Sequence, residues 1–153
     1  GGGVLNSRLA NRLRQQDGLS YTVRSIISQS PFDQRSAIVI FAICAPQNLA
    51  LVEAGFKEEL AKMLDHGFTE EEVAAAKSGL LQSKKVSRAQ DSELVDVQVG
   101  HLELQRSMQW NKAHEARLQT LTPQDIKATM NRYLNVDEFS LIKAGDLSKI
   151  TSP

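Results

Sequence analysis

The first twenty-one residues constrain the fold most, because they place a helix, a turn and the start of a strand at short, defined spacings. Three leucines recur every four residues, which predicts a helix over residues 4–16 with one apolar face against a core. The three are Leu5, Leu9 and Leu13. Gly18 suits the left-handed conformation that ends many helices. Tyr21 is therefore predicted to lie at the start of the next element, a strand.

Two strands are predicted after this turn. Residues 20–28 alternate in polarity, which favours a strand that is half-buried at most. One of its faces would carry Tyr21, Val23, Ser25 and Ile27. Residues 36–45 are apolar without alternation, which favours a strand covered on both faces or central to a sheet. Cys44 falls within it and is interpreted as a small buried hydrophobic residue. As the only cysteine, it excludes a disulfide within the chain.

The pattern then becomes helical. Apolar residues at three- and four-residue steps predict a long amphipathic helix over residues 46–66. Thr69 and Glu72 have the spacing of a capping box, in which a hydroxyl and a carboxylate satisfy free amide donors at a helix start. Another helix is predicted from residue 93 to about residue 111, with Gly100 as its weak point.

The last third of the chain continues this helical character. A helix is predicted over residues 113–120, and a new one is marked by a cap residue, a first-turn proline and an acid. These are Thr122, Pro123 and Asp125. Residues 139–144 are predicted to form a closing strand. The whole order predicts an α+β fold, with a small, mostly antiparallel sheet packed against a layer of helices.

Composition excludes two classes of partner. The chain has 18 Lys plus Arg and 18 Asp plus Glu, so no long-range field selects a polyanion, and a nucleic-acid partner is not expected. The longest apolar run, residues 37–46, is too short to span a bilayer, so no membrane partner is expected either. A chain of 153 residues is long enough for one domain with a sizeable core.

The opening stretch also resembles a family signature. It contains a glycine run at residues 1–3, then Ser-Arg-Leu at 7–9, Leu-Arg at 13–14 and Gly-Leu-Ser-Tyr at 18–21. This is similar to the second-half pattern of the insulinase or pitrilysin (inverzincin) zinc peptidases, which have G-G-G, S-R-L, L-R and G-L-x-Y in this order. The resemblance covers essentially the whole chain. It implies that residues 1–153 are one LuxS/insulinase-like half-domain, lacking a first strand and helix that would lie upstream of Gly1.

The catalytic half of that family carries H-x-x-E-H on a helix, where two histidines bind zinc and the glutamate acts as general base. That motif needs a Glu-His dipeptide. The residues that precede the three histidines here are Asp65, Gly100 and Ala113. His66, His101 and His114 are therefore interpreted as surface or capped helix residues. The resemblance implies an inactive domain with no metal of its own, and zinc in a partner domain.

Arg14 and Tyr21 are the candidate site residues. Spacing alone favours a solvated cation in the last helical turn and a half-buried strand aromatic. In the peptidases, an arginine and a tyrosine at this spacing hydrogen-bond the substrate carbonyl and the developing oxyanion. The resemblance therefore implies that Arg14 and Tyr21 bind a peptide substrate and assist catalysis in the full enzyme. A guanidinium and a phenol are donors suited to developing negative charge.

Two functional interpretations remain. In the first, the chain is the wall of a peptide chamber that is completed by a zinc-bearing half in the same polypeptide or a separate subunit. In the second, it is a structural homologue without peptidase activity, like the core subunits of respiratory complexes. A missing strand would leave a sheet edge open, so a homodimer through that edge is also expected. The compartment stays open between bacterial periplasm and cytoplasm.

Overall fold

The computed structural model of the protein describes residues 8–146 and Ser148. The chain forms two compact units. The hairpin unit comprises the described parts of Gly2–Phe68 and Lys127–Pro153, and the helical unit comprises Thr69–Ile126. Within the described residues, no helix combines the length and apolar character that crossing a membrane requires.

The hairpin unit contains most of the elements predicted for the first half of the chain. Helix α1 has one α-helical turn at residues 8–10 and continues as the π-helical Asn11–Gln16. Two strands follow, β1 at Ser20–Gln29 and β2 at Ser36–Cys44. A 3-10 turn at Pro46–Asn48 leads into α2 at Leu49–His66. Leu5 and the glycine run lie outside the described residues.

Strands β1 and β2 form an antiparallel hairpin, closed by a bond from the Ser30 N–H to the Arg35 carbonyl. Each has only the other as a neighbour in the described part of the chain. The prediction that residues 36–45 are covered on both faces or central is therefore wrong here. Val39 and Ile43 are more than half exposed on β2.

The closing strand predicted at residues 139–144 is also not formed. These residues carry no strand pairing and follow a 3-10 turn at Val136–Glu138. A strand needs a neighbour to satisfy its backbone groups, and this segment instead contacts α2 through side chains. Phe139 packs edge-on against Phe56 with ring centroids 5.7 Å apart, and Lys143 pairs with Glu53.

The core lies mainly in the hairpin unit. The helix stripe predicted around α1 is confirmed at Leu9 and Leu13, which are 0% and 1% exposed. Helix α2 buries one face at three- and four-residue steps, as predicted. That face carries Phe56, Leu60 and Met63. Within the described residues, Val73 is the one buried hydrophobic side chain of the helical unit.

The helical unit contains α3 at Glu70–Ser87, α4 at Asp91–Glu103 and α5 at Met108–Thr120. Both halves of the predicted capping box are present. The Glu72 N–H donates to Thr69 Oγ1 at 3.2 Å, and the Thr69 N–H donates to Glu72 Oε2 at 2.8 Å.

The predicted helix over residues 93–111 is interrupted. The break comes at residues 104–107 rather than at Gly100, because Gln105 adopts a positive φ of 52°. The Arg106 N–H then donates to the His101 carbonyl at 2.8 Å, which closes the end of α4. Helix α6 begins at Pro123, as predicted, and runs to Tyr133.

One carboxylate of α2 makes the stability of the fold depend on pH. Hydrogen bonds from Lys143 and, second, from Lys57 lower the pKa of Glu53 from 4.5 to about 2. The unfolded chain therefore binds this proton at a higher pH than the folded chain does. The contribution of Glu53 is fully present above about pH 4.5 and is lost as the pH falls towards about 2.

We expect Glu53→Gln to remove that part of the acid sensitivity. The variant should lose less unfolding free energy than the wild type between about pH 4.5 and about pH 2. Urea unfolding at several pH values measures this. Glu59→Gln, on the same helix and without an ion pair in the described residues, is the matched control. Parallel pH profiles for the wild type and Glu53→Gln would contradict the prediction.

Candidate functional site

Helix α1 places Arg14 at the surface and its neighbour Leu13 in the core. Arg14 lies in the last turn of the π-helical segment and is exposed. The Asp17 N–H donates to the Arg12 carbonyl at 3.0 Å, a bond that spans five residues instead of four. Single π-helical turns are rare in proteins, and those that occur are often found at functional sites. The sequence period did not reveal this widening.

The turn after α1 is held at both backbone polar groups of one residue, Leu19. Gly18 has a φ of 63°, which confirms the predicted left-handed helix stop. The Leu19 N–H donates to the Leu13 carbonyl at 2.9 Å. Its carbonyl accepts from Asn48 Nδ2 at 3.1 Å. The chain between Arg14 and the strand is therefore fixed by local backbone bonding and by the segment before α2.

Tyr21 lies in a β-bulge at the start of β1. Ser20 pairs with Cys44 and Thr22 pairs with Ile43, so Tyr21 is the extra residue. Its side chain is 75% exposed. The face predicted to hold Tyr21 with Val23 is thus broken, because Val23 is buried. Bulges re-aim side chains and are over-represented next to active sites.

The hydroxyl of Ser20 fixes this bulge. Its Oγ lies 2.8 Å from the carbonyl of Thr22 and 2.8 Å from the carbonyl of Ile43 across the hairpin. Ser20 is itself 7% exposed, so this contact is shielded from water. A buried donor between two carbonyls holds the irregular start of the strand, and with it the direction of Tyr21.

Two arginines of α1 differ in their partners among the described residues: Arg12 is held in ion pairs, and Arg14 is not. Arg12 Nε lies 3.1 Å from Asp17 Oδ2, and Arg12 Nη2 lies 3.2 Å from Glu58 Oε2 on α2. A hydrogen bond from Lys62, followed by the charges of Lys62 and Arg12, lowers the pKa of Glu58. Arg14 makes no hydrogen bond or ion pair among residues 8–146.

The Tyr21 hydroxyl, like the Arg14 guanidinium, has no hydrogen-bond partner among residues 8–146. The interpretation from spacing alone is wrong for Tyr21, which is 75% exposed rather than half-buried. It is right in placing Arg14 as an exposed cation in the last helical turn. The two sequence-predicted site residues are an always-charged donor and a neutral donor. They are displayed seven residues apart on one tethered segment of the hairpin unit.

The histidines do not form a metal centre. The described residues contain no group of three His, Cys, Asp or Glu side chains that could hold an ion. His66 is exposed beside Asp65, with Nδ1 3.4 Å from Oδ2. Of the two interpretations of His101, as a surface or a capped helix residue, the surface alternative is wrong. His101 lies in the last turn of α4, but it is 7% exposed and packs edge-on to Trp110. The side chains in the described part of the chain therefore do not fit a zinc site.

Comparison with protein families identifies the class of domain to which this fold belongs. The family described as "Peptidase M16 inactive domain" matches residues 1–80. The chain belongs to this family. The resemblance to the second half of insulinase-type zinc peptidases is confirmed, and the matching family is the one described as inactive.

Relatives carry the same family name or a zinc protease name. An "uncharacterized zinc protease" of Streptomyces coelicolor is 30% identical over 128 residues, covering 83% of this chain and 27% of that protein. Another, of Mycobacterium leprae, is 29% identical over 153 residues, covering 99% of this chain and 34% of that protein. The chain thus spans about a third or less of these relatives.

Solved structures share the fold. The crystal structure of a peptidase M16 inactive domain from Pseudomonas fluorescens has a TM-score of 0.67 and 26% identity, over 86% of this chain and 31% of that one. The periplasmic protease PqqL from Escherichia coli has a TM-score of 0.68 and 21% identity, over 86% of this chain and 15% of that one. The predicted α+β class is confirmed.

Proposed function

We propose that this chain is the non-catalytic half of a zinc metallopeptidase. It forms part of the wall of the substrate chamber and supplies Arg14 and Tyr21 to the peptide carbonyl and to the oxygen on which negative charge develops. One observation carries the proposal. Both donors are exposed and have no partner in the described part of the chain, although the segment between them is fixed by hydrogen bonds.

The chemistry of the two donors supports this role. A guanidinium stays protonated at any working pH and offers several N–H groups in a planar fork. A phenol adds a neutral donor without a second charge. Donors that are held in place before the reaction stabilise developing charge without reorganising. The bulge at Tyr21 and the π-turn at Arg14 are local distortions that such fixed aiming would explain.

The zinc belongs to a partner half in this proposal. That half lies in the same polypeptide or in a separate subunit, and a peptide is the shared substrate. Relatives named zinc proteases support it, because they are about three times as long as this chain. The role of this chain is to bind and orient the peptide from the side opposite the metal.

The chain alone is expected to bind no stoichiometric zinc and to cleave no unstructured peptide. The reason is the missing Glu-His dipeptide, together with the lack of a ligand cluster in the described residues. Elemental analysis and an internally quenched fluorogenic peptide measure the two properties. One tightly held zinc per chain, with hydrolysis that a chelator abolishes, would overturn this prediction.

The proposal is tested in the complete, zinc-loaded peptidase through Arg14→Lys. Lysine keeps the charge but loses the planar fork, so turnover should fall while zinc content and folding stay unchanged. Arg24→Lys is the matched control, since Arg24 is also exposed and lies on β1. Full activity of both variants, and of a variant lacking the Tyr21 hydroxyl, would favour the scaffold interpretation.

The open hairpin edges support a second, separate proposal, self-association. Strands β1 and β2 each have one neighbour in the described residues, so each presents a row of backbone groups on its other side. We expect the isolated chain to form dimers by strand addition, and Val39→Lys on β2 to weaken them. Sedimentation velocity over a concentration series decides this, and a monomer throughout would count against it.

A further inference from the structure

We infer that Gly55, in the middle of α2, is a positioning residue for Arg14 and Tyr21. Its missing side chain lets α1 lie close enough to α2 for the two donors to keep their places. This inference rests on the proposed function, because it concerns the same donors. Gly55 lies outside the motif of the first twenty-one residues. In this inference it acts without touching the substrate or the zinc.

The contact is unusually close. A Cβ added at Gly55 would lie 2.8 Å from Cδ2 of Leu13 and 3.8 Å from Oδ2 of Asp17. Carbon atoms pack best at about 3.5–4.0 Å, so the first distance is a clash. The methyl of Leu13 cannot swing into solvent, because that side chain is only 1% exposed. Because the interior is close-packed, we expect α1, which carries Leu13, to shift away from the added methyl.

A displaced α1 would disturb both donors. Arg14 is the next residue after Leu13, so it follows any shift of the helix. The carbonyl of Leu13 accepts the Leu19 N–H at 2.9 Å, so the shift also reaches the turn that leads to Tyr21. A shift at this one contact with α2 therefore reaches both ends of the donor segment.

Other contacts prevent α1 from simply retreating. Arg12 is paired with Glu58, which lies one turn beyond Gly55 on α2. Asn48, just before α2, holds the carbonyl of Leu19. An added methyl would push α1 away while these bonds hold it, so the segment must distort or the bonds must break.

The other helical glycines make the contrast. The described helices contain Gly55, Gly79 and Gly100, and a Cβ at either of the last two would meet nothing within 4 Å. Glycine inside a helix is less favourable than alanine. At position 55 the close approach of Leu13 explains why glycine is needed. Gly79 and Gly100 have no such close neighbour.

The test is Gly55→Ala in the complete, zinc-loaded peptidase, with an internally quenched unstructured peptide as the probe. A misplacement of about 1 Å can cost about 100-fold in rate, so turnover should fall by roughly 10- to 100-fold. The Michaelis constant should change much less, and zinc content should not change. Gly79→Ala is the matched control and should keep wild-type turnover.

A second substitution separates positioning from simple loss of stability. Leu13→Val removes the atom that the new methyl would meet, so Gly55→Ala with Leu13→Val should recover most of the turnover lost by Gly55→Ala. The loss from Gly55→Ala should also shrink in a Tyr21→Phe background, since residues that act through one another are not additive. Turnover that tracks the thermal unfolding midpoint, with no recovery in the double variant, would overturn the inference.

The outcomes distinguish this inference from the proposed function. If Tyr21→Phe and Arg14→Lys both turn over normally, the proposed function fails and Gly55 has nothing to position. If Tyr21→Phe is slow while Gly55→Ala is as fast as the wild type, the proposed function stands and the role of Gly55 is wrong.

Discussion

Replacing Tyr21 by phenylalanine in the complete, zinc-loaded peptidase is expected to lower turnover by roughly 100- to 1000-fold. This is the range found when one oxyanion donor is removed. The substitution deletes only a hydroxyl that has no partner in the described part of the chain, so folding should be unaffected. Steady-state kinetics with an unstructured fluorogenic peptide, at equal zinc content, measure the effect.

The kinetic pattern matters as much as its size. An interaction that is equally strong in the substrate complex and in the transition state changes the Michaelis constant alone. Removing a donor that is used mainly when charge develops should lower turnover, and should lower turnover divided by the Michaelis constant by the same factor. Tyr21 is expected to show the second pattern.

The chain offers a matched control for this prediction. Tyr133, its other tyrosine, is also mostly exposed, lies at the end of α6 and contacts Arg132. Tyr133→Phe should keep wild-type turnover. Near-wild-type turnover for Tyr21→Phe would make Tyr21 an ordinary surface aromatic. If Arg14→Lys were also normal, the chain would be a wall without a part in the chemistry.

Features set by neighbouring residues could be predicted from the sequence. The leucine period of α1, the positive φ at Gly18 and the capping box at Thr69 and Glu72 all appear as expected. Each depends on contacts within a few residues, where the side-chain chemistry decides the backbone. Arg14 and Tyr21 are instead proposed as site residues from the family pattern, and their role stays a prediction.

Features that depend on distant contacts could not be predicted this way. The π-turn of α1 coincides with bonds from Arg12 to Glu58 and with the close approach of Leu13 to Gly55. The bulge at Tyr21 depends on a carbonyl of β2. Nothing in the period of either segment shows these partners. A glycine inside a strongly helical pattern was the one available signal, because such a residue often has a packing reason.

The two errors about strands have the same origin. Residues 36–45 and 139–144 are apolar enough for buried strands, but a strand is defined by the neighbours that satisfy its backbone. In the described chain, β2 has one neighbour and the closing segment has none. The closing segment is held to α2 by Phe139 and Lys143 instead. Hydrophobicity alone could not distinguish side-chain packing from strand pairing.

Leu60→Ala is expected to destabilise the chain by about 2–5 kcal/mol, because it leaves a cavity where the side chain is now 0% exposed. Leu51→Ala, on the same helix but at a side chain that is 57% exposed, should change the free energy of unfolding by no more than about 0.5 kcal/mol. Both are measured by urea unfolding. Gly55 and Glu58 of α2 contact α1, so loss of the packing of α2 should also weaken the contact between the two helices. The Arg14 segment should then become sensitive to proteolysis before global unfolding. Equal effects of the two substitutions would mean that α2 does not anchor the core and has no rigid packing with which to position the donors.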